Sequence, residues 1–276
     1  MSELSSAIKA ALQEILETTI RPTPNNWVNV TLNSQVIGLI TPEIHAHIDE
    51  FVNTHESELA GLKVSKDEFQ LLAVTPHELS SELQILAEFL RNKGLITGWR
   101  DEAFSFLDAQ GHERFRLERA AFRTLGILSR AVHINGHASN HRIWLARRSS
   151  NKATHPGMLD NFAAGGIGAD ETIRNCAIRE LWEEAGTPNN LAIHLNPVTM
   201  FPVQRLVPPR GLHHEQLFIF DLYLEDSFQP HNQDGEVSAF ELFTFQEAAD
   251  LVLAEELTPD ACAVTADFLL RHARFS

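Results

Sequence analysis

Cysteine, tyrosine and positive charge are all scarce in this sequence. The two cysteines, Cys176 and Cys262, lie far apart without a CxxC spacing. That excludes a disulfide framework or a cysteine-held zinc and suits a reducing cytoplasm. Lys and Arg number 22 against 37 Asp and Glu, a formal charge of −15 over 276 residues. A chain so acidic is a poor general ligand for phosphate backbones, so nucleic acid is not an expected partner. A phosphorylated small molecule stays admissible, because a metal ion can meet its charge locally. No apolar run approaches the roughly 18 residues that a membrane span needs. The opening segment MSELSSAIKAALQEILETTIRP mixes acids among its apolar positions, unlike a secretory signal or a transit peptide. Repeats and low-complexity tracts are absent too. What remains, 43% hydrophobic and 21% charged residues, is enough to build a packed core.

Hydrophobic spacing predicts a docked amphipathic helix over residues 1–20, carried by Leu4, Ile8, Ala11, Leu12 and Ile15. Two short strands are expected around Asn33-Ser34, then a helix opened by Pro42 and running to about His55. A helical stripe covers 79–90 and ends by Gly94, with 98–102 (GWRDE) as a loop or short strand. From about residue 117 an apolar run leads to Asn135-Gly136, read as a two-residue hairpin turn with a returning strand at 142–148. A helix at 171–185, strands near 198–206, 215–224 and 236–244, and a helix from Gln246 follow. The alternation implies an α+β protein: an α-β-α sandwich on a mixed sheet at 119–276, preceded by a small α+β domain at 1–118.

The chemistry concentrates in residues 165–187, GGIGADETIRNCAIRELWEEAGT. On a helix, Glu180, Glu183 and Glu184 fall within an arc of about 100°. Ile173, Cys176 and Ala177 share that side one turn earlier, so the acids need not face open solvent. Clustered carboxylates beside apolar residues call for a cation, and Mg²⁺ or Mn²⁺ suits carboxylate oxygens plus substrate phosphate. Ile178, Leu181, Trp182 and Ala185 form the stripe expected to anchor the helix. Gly165 and Gly166 allow the preceding loop a close approach to a ligand, and Gly186 is placed to end the helix. Paired glutamates alone are ordinary on a solvated helix face. Seven fixed positions matching at once have chance odds of about one in a million.

That segment resembles the Nudix box, G-x5-E-x7-R-E-U-x-E-E-x-G-U with U apolar. Only the final position departs, with Thr187 where the pattern has an apolar residue. Further stretches, 98–102, 132–136 (VHING), 152–161 (KATHPGMLDN) and 234–237 (DGEV), are similar to a narrower group. These are the Nudix proteins related to thiamine pyrophosphokinase, which carry a characteristic N-terminal domain. The likeness implies a Nudix fold, with a mixed sheet flanked by helices, and metal-assisted attack of water on a diphosphate. By motif position, Glu180, Glu183 and Glu184 would hold the metal, with Glu171 nearby and the backbone carbonyl of Ala164 completing the set. Arg179 would orient a carboxylate. The base would be Glu180, or Glu236 from the loop after the box; an acid beside Asp-Gly also serves as ordinary turn chemistry.

Trp99 and Arg100 are the N-terminal residues expected to reach a ligand, by stacking and by phosphate contact. Gly165 and Gly166 would line the substrate. His133, His137 and His141 lie around the expected hairpin, so their spacing does not imply a metal site, and His213-His214 reads as a polar loop. The expected substrate is a small-molecule diphosphate: thiamine diphosphate or its oxidised, toxic analogues, cut to the monophosphate. The alternatives are an oxidised nucleotide of the 8-oxo-dGDP type, ADP-ribose or a nucleotide sugar. An isoprenoid isomerase is disfavoured by the intact R-E-x-x-E-E. A Nudix domain kept only for binding would be expected to lose box carboxylates, and none is missing. The N-terminal domain would serve substrate recognition or homodimer formation.

Overall fold

The computed structural model describes residues 4–55 and 57–272. Helix α1 (Ser6–Glu17) opens the described chain, capped by the Ser5 side chain; the first three residues of the expected helix lie outside the described residues. Strands β1 (Val28–Leu32) and β2 (Gln35–Ile40) form the expected hairpin, and α2 (Pro42–Thr54) follows behind an N-capping Thr41. The pair β3 (Leu62–Ser65) and β4 (Glu68–Leu71) precedes α3 (Pro76–Asn92), which starts in a Thr75/Glu78 capping box. The ribbon β5 (Ala103–Leu107) and β6 (Glu113–Glu118) runs into the short helix α4 (Arg119–Thr124). Beyond it come β7 (Ser129–Ala138), β8 (Arg142–Arg148), β9 (Leu159–Asp160) and β10 (Ala163–Gly166). Helices α5 (Ile173–Ala185) and α6 (Asn189–Ala192), then strands β11 (Asn196–Leu206), β12 (Leu212–Tyr223) and β13 (Val237–Thr244) continue the chain. Helices α7 (Phe245–Leu253) and α8 (Pro259–His272) close it.

Among the described residues the strands form a four-stranded sheet (β2-β1-β4-β3), the β5-β6 ribbon and a seven-stranded mixed sheet. The large sheet runs β11-β12-β7-β8-β13, with β10 on β7 and β9 on β8. Its β12/β7 contact is parallel and the other pairings are antiparallel. One face carries α5, through Val132, Ile134, Ala177, Leu181 and Phe220. The other carries α8, through Leu217, Ile219 and Val264. The N-terminal core gathers Phe51, Phe69, Leu83, Phe115 and Phe122, and extends to Ile127. Helix α1 does not join it: Leu4 and Leu12 pack with Ala249, Phe268 and Leu269 of α7 and α8. Packing thus ignores a simple cut after residue 118, because the apolar stripe of α1 covers α7 and α8.

Three local expectations need correction, and one helix has no sequence signal. Asn135-Gly136 is no turn. It lies inside β7, where fully buried Asn135 donates to Asp221 (3.0 Å) and Gly136 gives room to the Phe162 ring. The chain instead reverses at Asn140 and His141, both with left-handed φ (58° and 55°). On α5, Trp182 faces solvent at 53% exposure, while Cys176, Ala177, Leu181 and Ala185 are buried. His213 and His214 belong to β12, and His213 is buried. Finally, no helical stripe marks 259–272, because α8 buries Ala261, Val264, Thr265, Ala266 and Phe268 around most of its circumference.

Candidate active site

Helix α5 is fixed at both ends by its own sequence. Thr172 caps the first turn, accepting from Asn175 N (3.1 Å), and Gly186 ends the last one at φ 61°. The orientation turns Glu180 and Glu184 inward, to 8% and 7% exposure. Gly165 makes this possible. A Cβ there would stand 1.9 Å from Glu180 Oε1, so only glycine leaves room for that carboxylate. At Gly166 a Cβ would meet the Phe104 ring at 2.3 Å, which fits the N-terminal ribbon against the same loop.

Arg179 is the hub of the carboxylates. It donates to both oxygens of Glu171 (2.6 and 2.8 Å), to Glu180 (2.7 Å) and to Glu183 (2.9 Å). Glu184 accepts from the Ala164 amide at 2.9 Å. One guanidinium bonds three of the four acids and leaves Glu184 to a backbone amide, and the deficit appears in their protonation. Burial pushes the Glu180 carboxyl up to about 7 against the pull of Arg179. Burial, joined by the charge of Glu180, holds Glu184 well above the usual carboxylate range. The hydrogen bond from Arg179 lowers Glu171. Burial also pushes the Cys176 thiol up, so it stays protonated and inert. Buried acids short of cationic partners, held by a glycine cradle, fit a hard divalent ion.

Beside them a cleft of about 280 Å3 runs between the N-terminal core and the large sheet. Ala164, Gly165 and Gly166 form part of its wall. Seven cationic side chains line it, Arg100, Arg119, Arg123, Arg148, Lys152, Arg205 and Arg210, against the carboxylates of Asp160, Glu215 and Asp260. Glu118 sets the loop of Arg100, accepting from the amides of Arg100 (3.1 Å), Glu102 (3.2 Å) and Ala120 (3.2 Å). Arg148 pairs with Asp160 (2.7 Å) and Arg119 with Glu102 (2.7 Å). His133, buried in the cleft wall, shares a hydrogen bond between Nδ1 and Asn161 Oδ1 (2.8 Å). Because that amide oxygen only accepts, Nδ1 carries the proton.

The structure separates the sequence expectations. Glu171, Arg179, Glu180, Glu183, Glu184 and the Ala164–Gly166 strand converge, and Arg100 reaches the cleft. Glu236 lies within reach of both, paired with Lys152 and 3.7 Å from Arg100. Burial works to raise its pKa, but Lys152 and Arg100 win and hold it below the usual range. Trp99 is different: it does not line the cleft. Its ring is covered by the Arg91 guanidinium at 4.4 Å, and its Nε1 donates to Asp101 (2.7 Å). Sequence reasoning missed Arg119, Arg123, Arg148, Arg205 and Arg210, which no local pattern marks. Lys152 and Asp160 stand in the family-like stretch 152–161, where nothing local marks them as cleft residues.

His213, Glu215 and Asp260 bring ligand-type atoms within 4.8 Å of one another. Arg123 donates to His213 Nδ1 (3.0 Å), so that nitrogen is the acceptor and Nε2 carries the proton toward Asp260, 3.0 Å away. Asp260 is also held by Arg205 at 2.5 and 3.1 Å. Arg123 holds His213 and Arg205 holds Asp260, so the group is a support for the cleft; Nε2 makes no hydrogen bond, and carrying the proton it has no lone pair for a metal.

Comparison with known proteins places the chain in a family. Residues 129–268 match the family model of the NUDIX domain. Nudix hydrolase 24, chloroplastic, of Arabidopsis thaliana is 29% identical over 254 residues, covering 89% of this chain and 68% of that protein. Nudix hydrolase 20, chloroplastic, of the same plant is 28% identical over 258 residues with the same coverages. Among solved structures, DR0079 of Deinococcus radiodurans aligns with a TM-score of 0.48 at 20% identity, over 62% of this chain and 98% of that one. More than half of the chain matches the family model, and it carries every fixed residue of the box: the chain belongs to the Nudix family, and it is a hydrolase of pyrophosphate bonds in small molecules.

Proposed function

We propose that this chain hydrolyses the diphosphate of thiamine diphosphate or its oxidised analogues to the monophosphate, using Mg²⁺ or Mn²⁺. One observation carries the reading. A pair of buried carboxylates, Glu180 and Glu184, adjoins a cleft rich in cations within a protein of charge −15. In this proposal Glu180, Glu183 and Glu184 hold the metal, with Glu171 and the Ala164 carbonyl beside them. A bound divalent ion supplies polarisation of a phosphoryl oxygen and a lower pKa for coordinated water. Arg179 keeps the carboxylates apart and aimed. Glu180 takes the proton as the water oxygen bonds to phosphorus and the bridging P–O bond breaks, the electron pair leaving with the departing phosphate. Glu236 suits that task less, because Lys152 already engages its charge. Arg100, Arg119 and Lys152 neutralise the diphosphate, and Phe104 and Phe122 offer an apolar wall to the organic moiety. The thiamine part of the reading rests on the four family-like stretches outside the box.

No described helix is long and apolar enough to cross a membrane. Both cysteines are free and buried, which suits a reducing compartment such as the cytoplasm, although two relatives bear chloroplastic names. The test is a release assay with Mg²⁺ and Mn²⁺ on thiamine diphosphate, oxythiamine diphosphate, ADP-ribose and 8-oxo-dGDP, with Glu184→Gln alongside. Selective turnover of the thiamine compounds, abolished by EDTA and by the substitution, is expected. Selective turnover of a nucleotide overturns the thiamine assignment, and no turnover of any of them with metal bound overturns the reading as a whole.

A further inference from the structure

Two of the cleft arginines lack counterions. Arg123 projects from α4, is largely buried, and has no carboxylate within ion-pair distance among the described residues; its hydrogen bond goes to the His213 ring at 3.0 Å. Arg210, on the β11–β12 hairpin, has a long contact to the Ala153 carbonyl (3.4 Å) and likewise no acidic partner. A guanidinium offers five N–H donors, so most of theirs are left to whatever enters the cleft. The fold forces the two together. A Cβ on Gly211 would lie 2.4 Å from the Arg123 carbonyl oxygen, so the hairpin tip is seated directly on α4. Burial weighs most against the charge on Arg123; Glu215 and Asp260 attract it at a distance, and Arg205 and Arg210 repel it. Of the nearby acids, Asp260 is paired with Arg205, and Glu215 is held by the Ser129 hydroxyl (2.8 Å) outside ion-pair distance of Arg123. Three arginines beside two acids leave an excess of positive charge at this part of the cleft, which an anion from outside would stabilise.

This cluster is distinct from the box carboxylates. The box carboxylates project from α5, whereas Arg123 belongs to α4 and Arg210 to the β11–β12 hairpin. Both groups open on the same cleft, which Arg123 and Arg210 line together with Ala164, Gly165 and Gly166. We propose that Arg123 and Arg210 form a phosphate site that receives the terminal phosphoryl group of the diphosphate and retains it as inorganic phosphate after cleavage. Paired guanidinium forks match the oxygens of a phosphate, and an acidic exterior keeps long polyanions away. The proposal rests on the hydrolase reading only for what it says of the substrate.

The test is titration calorimetry of the full chain with inorganic phosphate in EDTA, so that no metal contributes. Arg210→Gln and Arg123→Gln are each expected to weaken phosphate binding roughly tenfold or more, as removing a charged hydrogen-bond donor does. Glu184→Gln is expected to leave phosphate affinity unchanged. Arg210→Gln, nearer the surface, guards against a folding defect in Arg123→Gln, with thermal unfolding run on both. Absence of saturable phosphate binding by the wild type overturns the site. So does wild-type affinity in Arg210→Gln, or loss of binding in Glu184→Gln. Hydrolysis is assayed separately, so a failure of the hydrolase reading appears there and leaves the binding result to decide this site. Where turnover is seen, phosphate is expected to inhibit competitively, with a raised inhibition constant in Arg210→Gln.

Discussion

A missing Cβ shapes this site as strongly as any side chain. Because the Gly165 position would put a methyl 1.9 Å from Glu180 Oε1, Gly165→Ala must push that carboxylate away while leaving the rest of the sheet intact. A displacement of about 1 Å in a catalytic group costs on the order of 100-fold in rate. We therefore expect kcat/KM to fall by about that factor with the melting temperature nearly unchanged. Wild-type kinetics in this variant would mean that the Glu180 carboxylate is free to sit elsewhere. A second residue, Asp221, acts on stability instead. Burial works to raise its pKa, but His272, 3.6 Å away, and hydrogen bonds from Arg271 and Asn135 hold it at about 2. A folded value below the unfolded one, about 3.9, stabilises the native state above that unfolded value. The contribution, about 2 kcal/mol, is lost as pH falls from about 4 through about 2. Urea unfolding of the wild type and Asp221→Asn should differ at neutral pH and converge below pH ~2. A gap independent of pH would assign the effect to packing alone.

Helix α1 shows how an element can belong to a neighbour distant in sequence. Leu12 is fully buried, in a core made with α7 and α8. Leu12→Ala should destabilise by about 2–5 kcal/mol, read as a lower urea midpoint. A negligible shift would mean that α1 only rests on the surface. Its helical stripe was legible in the sequence, but its partner was not, because periodicity specifies a face and not what covers it. Helix α5 was legible together with its box. Elsewhere tertiary context overrode local signals. Asn135-Gly136 has the composition of a tight turn, yet the buried bond to Asp221 and the packing of Phe162 hold it in a strand. His213 is polar enough to suggest a loop, but Asp260 and Arg123 supply the partners that permit its burial. In α8 the apolar residues surround the helix, so no stripe was there to read.

Charge is distributed over the whole molecule in a way that no segment reveals. A chain of −15 lines one cleft with seven cations drawn from α4, the loop before β5, β8 and its following loop, and the β11–β12 hairpin. Those residues meet only in the folded chain, which explains why the carboxylate helix could be read from sequence and its basic counterpart could not. Two opposing fields act on an anionic substrate. The acidic exterior repels it at long range, while the cleft attracts it at short range. Salt screens the exposed field first, since the Debye length falls from about 10 Å at 0.1 M to about 3 Å at 1 M. If repulsion by the exterior governed capture, added salt would lower KM. The cations, however, line the cleft itself, where phosphate makes its closest contacts and chloride competes for the same donors. KM should therefore rise several-fold between about 0.05 and 0.5 M salt, with kcat nearly constant because the buried carboxylates sense little of the bulk. Steady-state kinetics in choline chloride, at fixed free Mg²⁺, would decide between them. A KM that falls with salt would assign capture to the acidic surface and leave the cleft arginines without a role in binding.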